Sequence, residues 1–323
     1  MIVGGWISSA VAALARLGVA DHVDATPRSA EEIASKVGAR PELLYRLMRT
    51  TASVGILSET ADRRFTETPL SVALRSDAIP CLREFATFNC EEWHVRGWQN
   101  LADTICTGER PVERFYGMPL FEFLQKNPKE AATFNKSMTE LSALDAPAVA
   151  DAYDFSGITS VTDVGGGHGL LLATILQQNP HLKGTLYDLP QVMDGLAGGP
   201  TEPVKDRIQF VAGSMFESVP AGSDVYMMKY IIHDWPDETC LKLLKACRAN
   251  VNSGGKLLVI DMVMPGPNQP HFSQIADLEM MLFPSGKERT EAEFRELFAA
   301  AGWKLTRVIP TASHVSIIEG VPA

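Results

Sequence analysis

The sequence predicts an α/β protein: a doubly wound, mostly parallel sheet ending in an antiparallel hairpin, preceded by a mostly α-helical domain. Three observations carry this expectation. Residues 161–171, Val-Thr-Asp-Val-Gly-Gly-Gly-His-Gly-Leu-Leu, run β-branched side chains into a cluster of glycines and on into an apolar, helix-favouring stretch. Strand, sharp glycine turn and helix in that order open a doubly wound sheet. Beyond them strand-like and helix-like segments alternate, which gives a parallel sheet covered on both faces. Ahead of them the pattern is helical in period, broken by one short hairpin.

Composition bounds what such a protein can be. With 323 residues the chain has room for two domains with proper cores. Hydrophobic content of 46% and charged content of 21% exclude a disordered or fibrous chain. The net charge of −10 argues against a nucleic-acid partner, because binding phosphates needs a basic surface. Cys81, Cys90, Cys106, Cys240 and Cys247 form no C-x-x-C pair, so they read as reduced thiols of a cytoplasmic protein and not as a disulfide framework or zinc site. Residues 2–23 are apolar but interrupted by Arg16 and Asp21, without a basic leader or cleavage site. They read as a packing helix, not a signal peptide or membrane span.

In the first domain, Trp6, Ile7, Ala10, Val11, Leu14 and Leu17 recur at helical spacing over residues 5–18. Ser29-Ala-Glu-Glu has the form of a capping box and starts a second helix that stops at Gly38. Pro41 opens a third, with Leu43, Leu44, Leu47 and Met48 inward. Residues 55–58 and 64–68 bracket a polar turn and predict a small hairpin. Helix, helix, hairpin is the order of a winged helix. A DNA-reading helix is one consequence, but Arg46 and Arg49 share theirs with Glu42, and a solvated face explains them as well. Residues 80–150 are helical by pattern and rich in Phe, Trp, Tyr and Met. Most of these are core by spacing, and Trp93, Phe134 and Met138 are candidates for a pocket holding a flat apolar substrate. A last helix over residues 128–153 places the boundary near 150, giving domains 1–150 and 151–323.

The second domain predicts strands at 160–164, 184–187, 208–212, 225–231 and 255–262, with helices at 170–178, 190–196 and 237–250 between them. A helix over 290–301, capped by Thr290, and strands at 303–310 and 314–319 close the chain. The last two pair as a hairpin at the sheet edge.

Candidate chemistry collects at the carboxyl ends of these strands, where open α/β sheets bind their ligands. The glycine turn lacks the sixth-place glycine of the dinucleotide fingerprint, since that place is Leu170, and its G-x-G-x-G spacing is shared among several classes of nucleotide binder. Asp188 ends the second strand, where an acid meets a ribose diol. His233 and Asp234 follow the fourth strand, Asp261 ends the fifth, and Gly286-Lys-Glu-Arg-Thr leads into the last helix. A metal cluster of His233, Asp234, Asp237 and Glu238 is disfavoured by the lack of H-x-x-x-H spacing. Asp237 and Glu238 fit the first turn of the next helix, whose dipole favours acids. Lys287 and Arg289 read as a solvated pair around Glu288.

Taken together, DVGGGHG, YDLPQV, HDWPDE and GKERT resemble one family over nearly the whole chain. It is the caffeic-acid and hydroxyindole type of small-molecule O-methyltransferase of plants, with bacterial relatives acting on antibiotics, phenazines and carotenoids. The resemblance implies a Rossmann-like domain binding S-adenosyl-L-methionine (SAM), and a winged-helix-like front that builds a homodimer. It implies that Gly165 and Gly167 shape the SAM loop, Asp188 takes the ribose hydroxyls, and the Lys229 segment meets the adenosyl part through its backbone. Where the family has Gly-Asp-Met-Phe around the adenine, this chain has Gly213-Ser-Met-Phe: Met215 and Phe216 remain, and Ser214 replaces the acid. His233 matches the catalytic base, Glu288 the acid that orients it, and Asp261 a second acid, often Glu in relatives. Substrate choice falls to Trp93, Phe134, Met138, Asp234, Met280, Met281 and Phe283. The chemistry is consistent without a metal. A sulfonium methyl is already activated, so the enzyme aligns the acceptor and removes its proton, and imidazole suits a phenol of pKa about 10. Expected function is therefore methyl transfer to a hydroxyl of a small aromatic metabolite. The alternatives are transfer to nitrogen or carbon, a non-methylating SAM binder, and the DNA-binding regulator that the charge disfavours.

Overall fold

The computed structural model describes residues 2–194 and 196–323. Two compact units divide the chain: Met1–Asn100 with Leu124–Ala143, and Leu101–Phe123 with Leu144–Ala323. The chain thus crosses between units three times, where sequence order alone gives a single boundary near 150. Residues 101–123 join the later unit through contacts distant in sequence, such as Phe121 stacking on Trp235.

The elements of the first unit form where the local signals put them, although Leu43, expected inward on the third helix, is exposed while Leu44 and Met48 are buried. Helix Gly4–Arg16 is followed by helix Ala30–Val37, whose capping box is complete: Ser29 Oγ accepts the Glu32 N–H, and the Glu32 carboxylate accepts the Ser29 N–H at 2.6 Å. Gly38, at φ 68, ends that helix in the left-handed conformation. Helix Pro41–Ser53 and the antiparallel strands β1 (Ser58–Glu59) and β2 (Phe65–Thr66) complete the winged-helix order. Leu14, Ile33, Leu44, Met48, Leu57 and Phe65 form its core. On the first helix Trp6 stays 78% exposed, with Val3 and Ile7 beside it.

The second unit holds a seven-stranded sheet. Its strands are β3 (Ser160–Val164), β4 (Lys183–Asp188), β5 (Ile208–Ala212), β6 (Ser223–Lys229), β7 (Val251–Asp261), β8 (Trp303–Pro310) and β9 (Ser316–Pro322). They lie in the order β5-β4-β3-β6-β7-β9-β8. The first five are parallel, and β9 inserts antiparallel between β7 and β8. Central strands buried on both faces need continuous apolar runs, and β6 supplies one in Val225-Tyr-Met-Met. One face packs on helix Leu170–Gln178 and the end of helix Pro128–Ala152, the other on helices Asp237–Asn250 and Glu291–Ala300. Helix Pro190–Met193 is shorter than the expected 190–196, of which residue 195 lies outside the described residues. Helix Ser273–Leu282 was not anticipated, because a short apolar run with Met and Leu has no decisive period. All five cysteines are free thiols. Among the described residues no helix is long and apolar enough to cross a membrane.

One buried carboxylate fastens the sheet edge. Glu319 on β9 is 4% exposed and accepts from Tyr153 Oη at 2.6 Å, Lys256 Nζ at 3.2 Å, Thr306 Oγ1 at 2.7 Å and Arg307 at 2.9 and 3.0 Å. Burial alone would raise its pKa, but these bonds overcome it and hold the group at about 2. A depressed folded-state pKa stabilises above the unfolded value, about 4.3, and that contribution fades as pH falls toward 2. We expect Glu319→Gln to cost on the order of 1–2 kcal/mol at pH 7, discounted for the solvent around half-exposed Arg307. The gap to wild type should narrow between about pH 4 and 2. Urea unfolding at pH 7 and pH 3 checks this, and an equal gap at both would exclude the charge as its source.

Candidate active site

The site begins where β3 runs out. Gly165 and Gly167 take φ of 67 and 57, which L side chains rarely adopt. A Cβ on Gly165 would lie 2.5 Å from Ile231, and on Gly166 it would lie 2.4 Å from Leu186. On Gly167 it would meet nothing within 4 Å, so the backbone there faces open space. Asp188, at the end of β4, fixes the turn: Oδ2 accepts the Gly167 N–H and Oδ1 the Leu189 N–H, each at 2.7 Å. Burial raises the Asp188 pKa while these two bonds pull it back. A carboxylate offers about four lone-pair sites, so acceptor capacity remains.

The segment after β5 borders the same turn. Met215 Sδ is 3.9 Å from the position a Gly165 Cβ would take. Ser214 Oγ accepts the Phe216 N–H at 3.4 Å. Phe216 meets Trp235 edge-on at 4.7 Å, and Phe121 stacks on Trp235 at 5.4 Å. The Trp235 indole N–H is buried without a hydrogen-bond partner. Phe121 and Trp235 were not singled out from sequence as site residues, although Trp235 stands inside the HDWPDE motif. An aromatic in a motif does not by itself declare which ring it meets.

At the end of β6, Lys229 is buried, 3.9 Å from Asp145 Oδ2 and 4.0 Å above the Tyr230 ring. Burial lowers its pKa to about 8 against the pull of Asp145, Asp163 and Asp261. Asp163 beneath the turn is raised to about 7 by burial, and its Oδ2 has no partner. Tyr230 takes φ 56, and its ring stacks on His233 at 5.1 Å and 14°.

His233 sits on the 3-10 turn Ile232–Asp234, directly after the strand. Its Nδ1 bonds Glu288 Oε1 at 2.8 Å, and both side chains are buried. Asp261 Oδ1 lies 3.4 Å from the same nitrogen, and Asp234 Oδ1 lies 3.6 Å from Nε2. The three predicted acids thus converge on one imidazole from the ends of β6 and β7 and from the GKERT segment. Approach of that segment depends on Gly286, where a Cβ would fall 1.7 Å from the His233 carbonyl oxygen. The Glu288 N–H donates to Asp277 Oδ1 at 2.8 Å, so the unanticipated helix anchors the segment. Burial opposes charging His233, but Asp261, Asp234 and Glu288 outweigh it and raise the pKa to about 10. Burial first, then Glu288 and Asp234, holds Asp261 above the usual carboxylate range. Burial likewise pushes Asp234 up to about 6.

One expectation is corrected here. Arg289 is not solvated beside Lys287: it is 1% exposed, because its guanidinium donates to the Ile232 and Trp235 carbonyls and to Asp237. Lys287 does remain partly exposed, paired with Asp237 and Glu293. Of the substrate candidates, Trp93 and Phe134 lie in the first unit, both edge-on to Phe88 at 5.7 Å. Met138, on the long helix of that unit, is half-buried. In the second unit Phe283 is buried and Met280 half-buried. Met281 lines a cavity of about 400 Å³ with Thr104, Ile105, Arg110 and Gly286.

Comparison with known proteins agrees along the whole chain. Residues 98–304 match the family model of an O-methyltransferase domain, and residues 1–77 match an O-methyltransferase dimerisation domain. The chain is 39% identical to the phenazine O-methyltransferase PhzM of Lysobacter antibioticus over 323 residues, covering 100% of this chain and 94% of that one. It is 33% identical to the mitomycin biosynthesis 6-O-methyltransferase of Streptomyces lavendulae, covering 98% and 91%. Among solved structures, it resembles the O-methyltransferase NcsB1 of neocarzinostatin biosynthesis, in complex with SAM and 2-hydroxy-5-methyl naphthoic acid. That match has a TM-score of 0.79 at 34% identity over 98% of this chain and 96% of that one. A Rossmann-like sheet closed by an antiparallel strand, a glycine turn faced by Asp188 and a full-length match of this strength have one common explanation: the chain belongs to the family of SAM-dependent O-methyltransferases.

Proposed function

We propose that this O-methyltransferase acts on a hydroxyl of a small aromatic secondary metabolite, with His233 as the general base. The observation that carries this is the buried 2.8 Å bond between His233 Nδ1 and Glu288. With Nδ1–H donated to that carboxylate, the tautomer is set and the Nε2 lone pair is left to accept a proton from the acceptor hydroxyl. Glu288 then stabilises the imidazolium, and Asp261, whose two oxygens have no hydrogen-bond partner, adds charge on the same side. Positioned base catalysis of this kind contributes about 10²–10⁴-fold. Bound SAM supplies the activated methyl group. The residues present fit it. The open backbone at Gly167 admits a ligand against the main chain, the spare lone pairs of Asp188 suit two ribose hydroxyls, and the Phe121–Trp235–Phe216 cluster suits a flat base. Ser214, Met215 and Phe216 border the adenine in this reading, and the Lys229 backbone the adenosyl part. An aromatic acceptor is in keeping with the phenazine and naphthoate chemistry of the relatives' names, and with Asp234, Met280 and Phe283 of the second unit as lining residues. The exposed Trp6 face of the dimerisation domain fits a homodimer.

The test is a panel of phenolic phenazines and hydroxynaphthoates incubated with SAM, read by mass spectrometry for methyl ethers. At least one acceptor should be turned over. Binding of S-adenosylhomocysteine with no ether from any phenol would reject the hydroxyl acceptor. His233, Asp261 and Glu288 offer ligand atoms within 4.8 Å of one another, a composition that also suits a divalent cation. Proton removal by the imidazole predicts undiminished rates in EDTA, and a cation-dependent enzyme would lose them. At the adenine, Ser214→Asp should tighten S-adenosylhomocysteine by about 5–10-fold, because a charged acceptor adds roughly 1 kcal/mol over a hydroxyl. Calorimetric titration measures it, and weaker binding would remove Ser214 from the site.

A further inference from the structure

Arg289 follows Glu288 in the GKERT segment, and methyl transfer as described leaves it without a role. At 1% exposure its guanidinium is desolvated, so each donor needs a partner. Nη1 donates to the Ile232 carbonyl at 2.8 Å and Nη2 to the Trp235 carbonyl at 2.9 Å. Those two carbonyls bracket His233 and Asp234. Nη2 and Nε also donate to Asp237 Oδ1, at 2.7 and 3.1 Å, which supplies the counter-charge. The backbone of the same residue is tied to the chain just past β7, since the Met264 N–H donates to the Arg289 carbonyl at 2.8 Å.

The turn has little regular structure of its own to hold it. It is three residues of 3-10 helix entered through Tyr230 at φ 56, a backbone conformation that persists only where surroundings enforce it. A planar fork of donors spans two carbonyls in a way that a point-like ammonium does not. We infer that Arg289 is the positioning residue of His233: its grip on the carbonyls either side of the turn sets the imidazole against Glu288, its own neighbour in sequence. The inference rests on the His233–Glu288 pair of the proposed mechanism. Arg289 reaches neither His233 Nε2 nor any reacting atom. The imidazole itself is faced by Asp234, Asp261, Glu288 and the Tyr230 ring, with Lys229 above that ring. Arg289 acts on this set through the backbone.

The test needs no acceptor. The full chain, labelled with 15N in its histidine rings and saturated with S-adenosylhomocysteine, should show one slowly exchanging downfield ring N–H resonance that is absent from His233→Gln and from Glu288→Gln. Arg289→Lys, still folded and binding S-adenosylhomocysteine, should lose that resonance to exchange. In Arg289→Ala, added guanidinium ion should restore it. The exposed neighbour serves as control, with Lys287→Gln keeping the signal. A folded Arg289→Lys with the wild-type resonance would overturn the inference, as would a folded Arg289→Ala that guanidinium leaves unchanged. If Arg289→Ala fails to fold, Arg289→Lys decides alone. A wild-type chain lacking the resonance would reject the base–carboxylate pair first and this positioning role with it.

Discussion

We expect His233→Gln to lower kcat by about 10²–10⁴-fold while leaving S-adenosylhomocysteine binding within a few-fold of wild type. The split follows from the geometry. His233 lies past the end of β6 among three carboxylates, whereas the glycine turn and Asp188 lie at the ends of β3 and β4. Single-turnover methylation of an acceptor from the phenolic panel, beside a calorimetric titration, reads both quantities. A variant retaining wild-type kcat would show that the acceptor loses its proton elsewhere.

The proposed base predicts a pH dependence of definite sign. An imidazole accepts a proton only when neutral, so kcat falls as pH drops through the apparent pKa of the base. Burial lowers that pKa, but Asp261, Asp234 and Glu288 raise it further, which places the acid limb above the ordinary value of about 6.5. Because the groups titrate together, the limb belongs to the cluster. Asp261→Asn removes the largest of the raising charges and should move the acid limb to lower pH. An unmoved limb would mean that Asp261 does not act on the base.

Asp188→Ala should have the second largest effect, and the proposed SAM site is where it should fall. We expect S-adenosylhomocysteine binding to weaken by about 10²–10³-fold, the equivalent of roughly 3–4 kcal/mol for hydrogen bonds to a charged acceptor. Two consequences would combine. In the proposed SAM site the ribose hydroxyls lose their partner, and the Gly167 and Leu189 N–H groups lose the oxygens that hold the turn in shape. Asp188→Asn keeps one carbonyl oxygen for the backbone and should lose only about 10-fold. Calorimetry on the three chains orders them. Binding of Asp188→Ala within a few-fold of wild type would place the ribose elsewhere.

Much of this was legible without coordinates, because the signals are local. Ser29 and Glu32 cap a helix through bonds three residues apart, and the glycines at 165–169 force a turn whatever surrounds them. Alternation of apolar runs and amphipathic periods located β3, β5 and β8 to the residue. The family motifs likewise named His233, Asp261 and Glu288, which the structure brings together, and Asp188, which bonds the glycine turn.

Tertiary structure decided what depends on partners distant in sequence. Arg289 is charged and flanked by polar residues, so locally it reads as solvated. It is buried because the Ile232 and Trp235 carbonyls, more than fifty positions earlier, need donors at that spot. Phe121 belongs with the sheet because it stacks on Trp235, which no pattern over residues 101–123 encodes. Helix Ser273–Leu282 has no clear period, and its Asp277 gains a role only once the Glu288 amide is brought to it. The sequence by itself determined the fold class, most of the elements and their order, and the residues proposed to react, because each is written in local spacing or a contiguous motif. The tertiary structure decided which charges are desolvated and which backbone they hold, since burial depends on what packs on a residue and not on its neighbours in the chain.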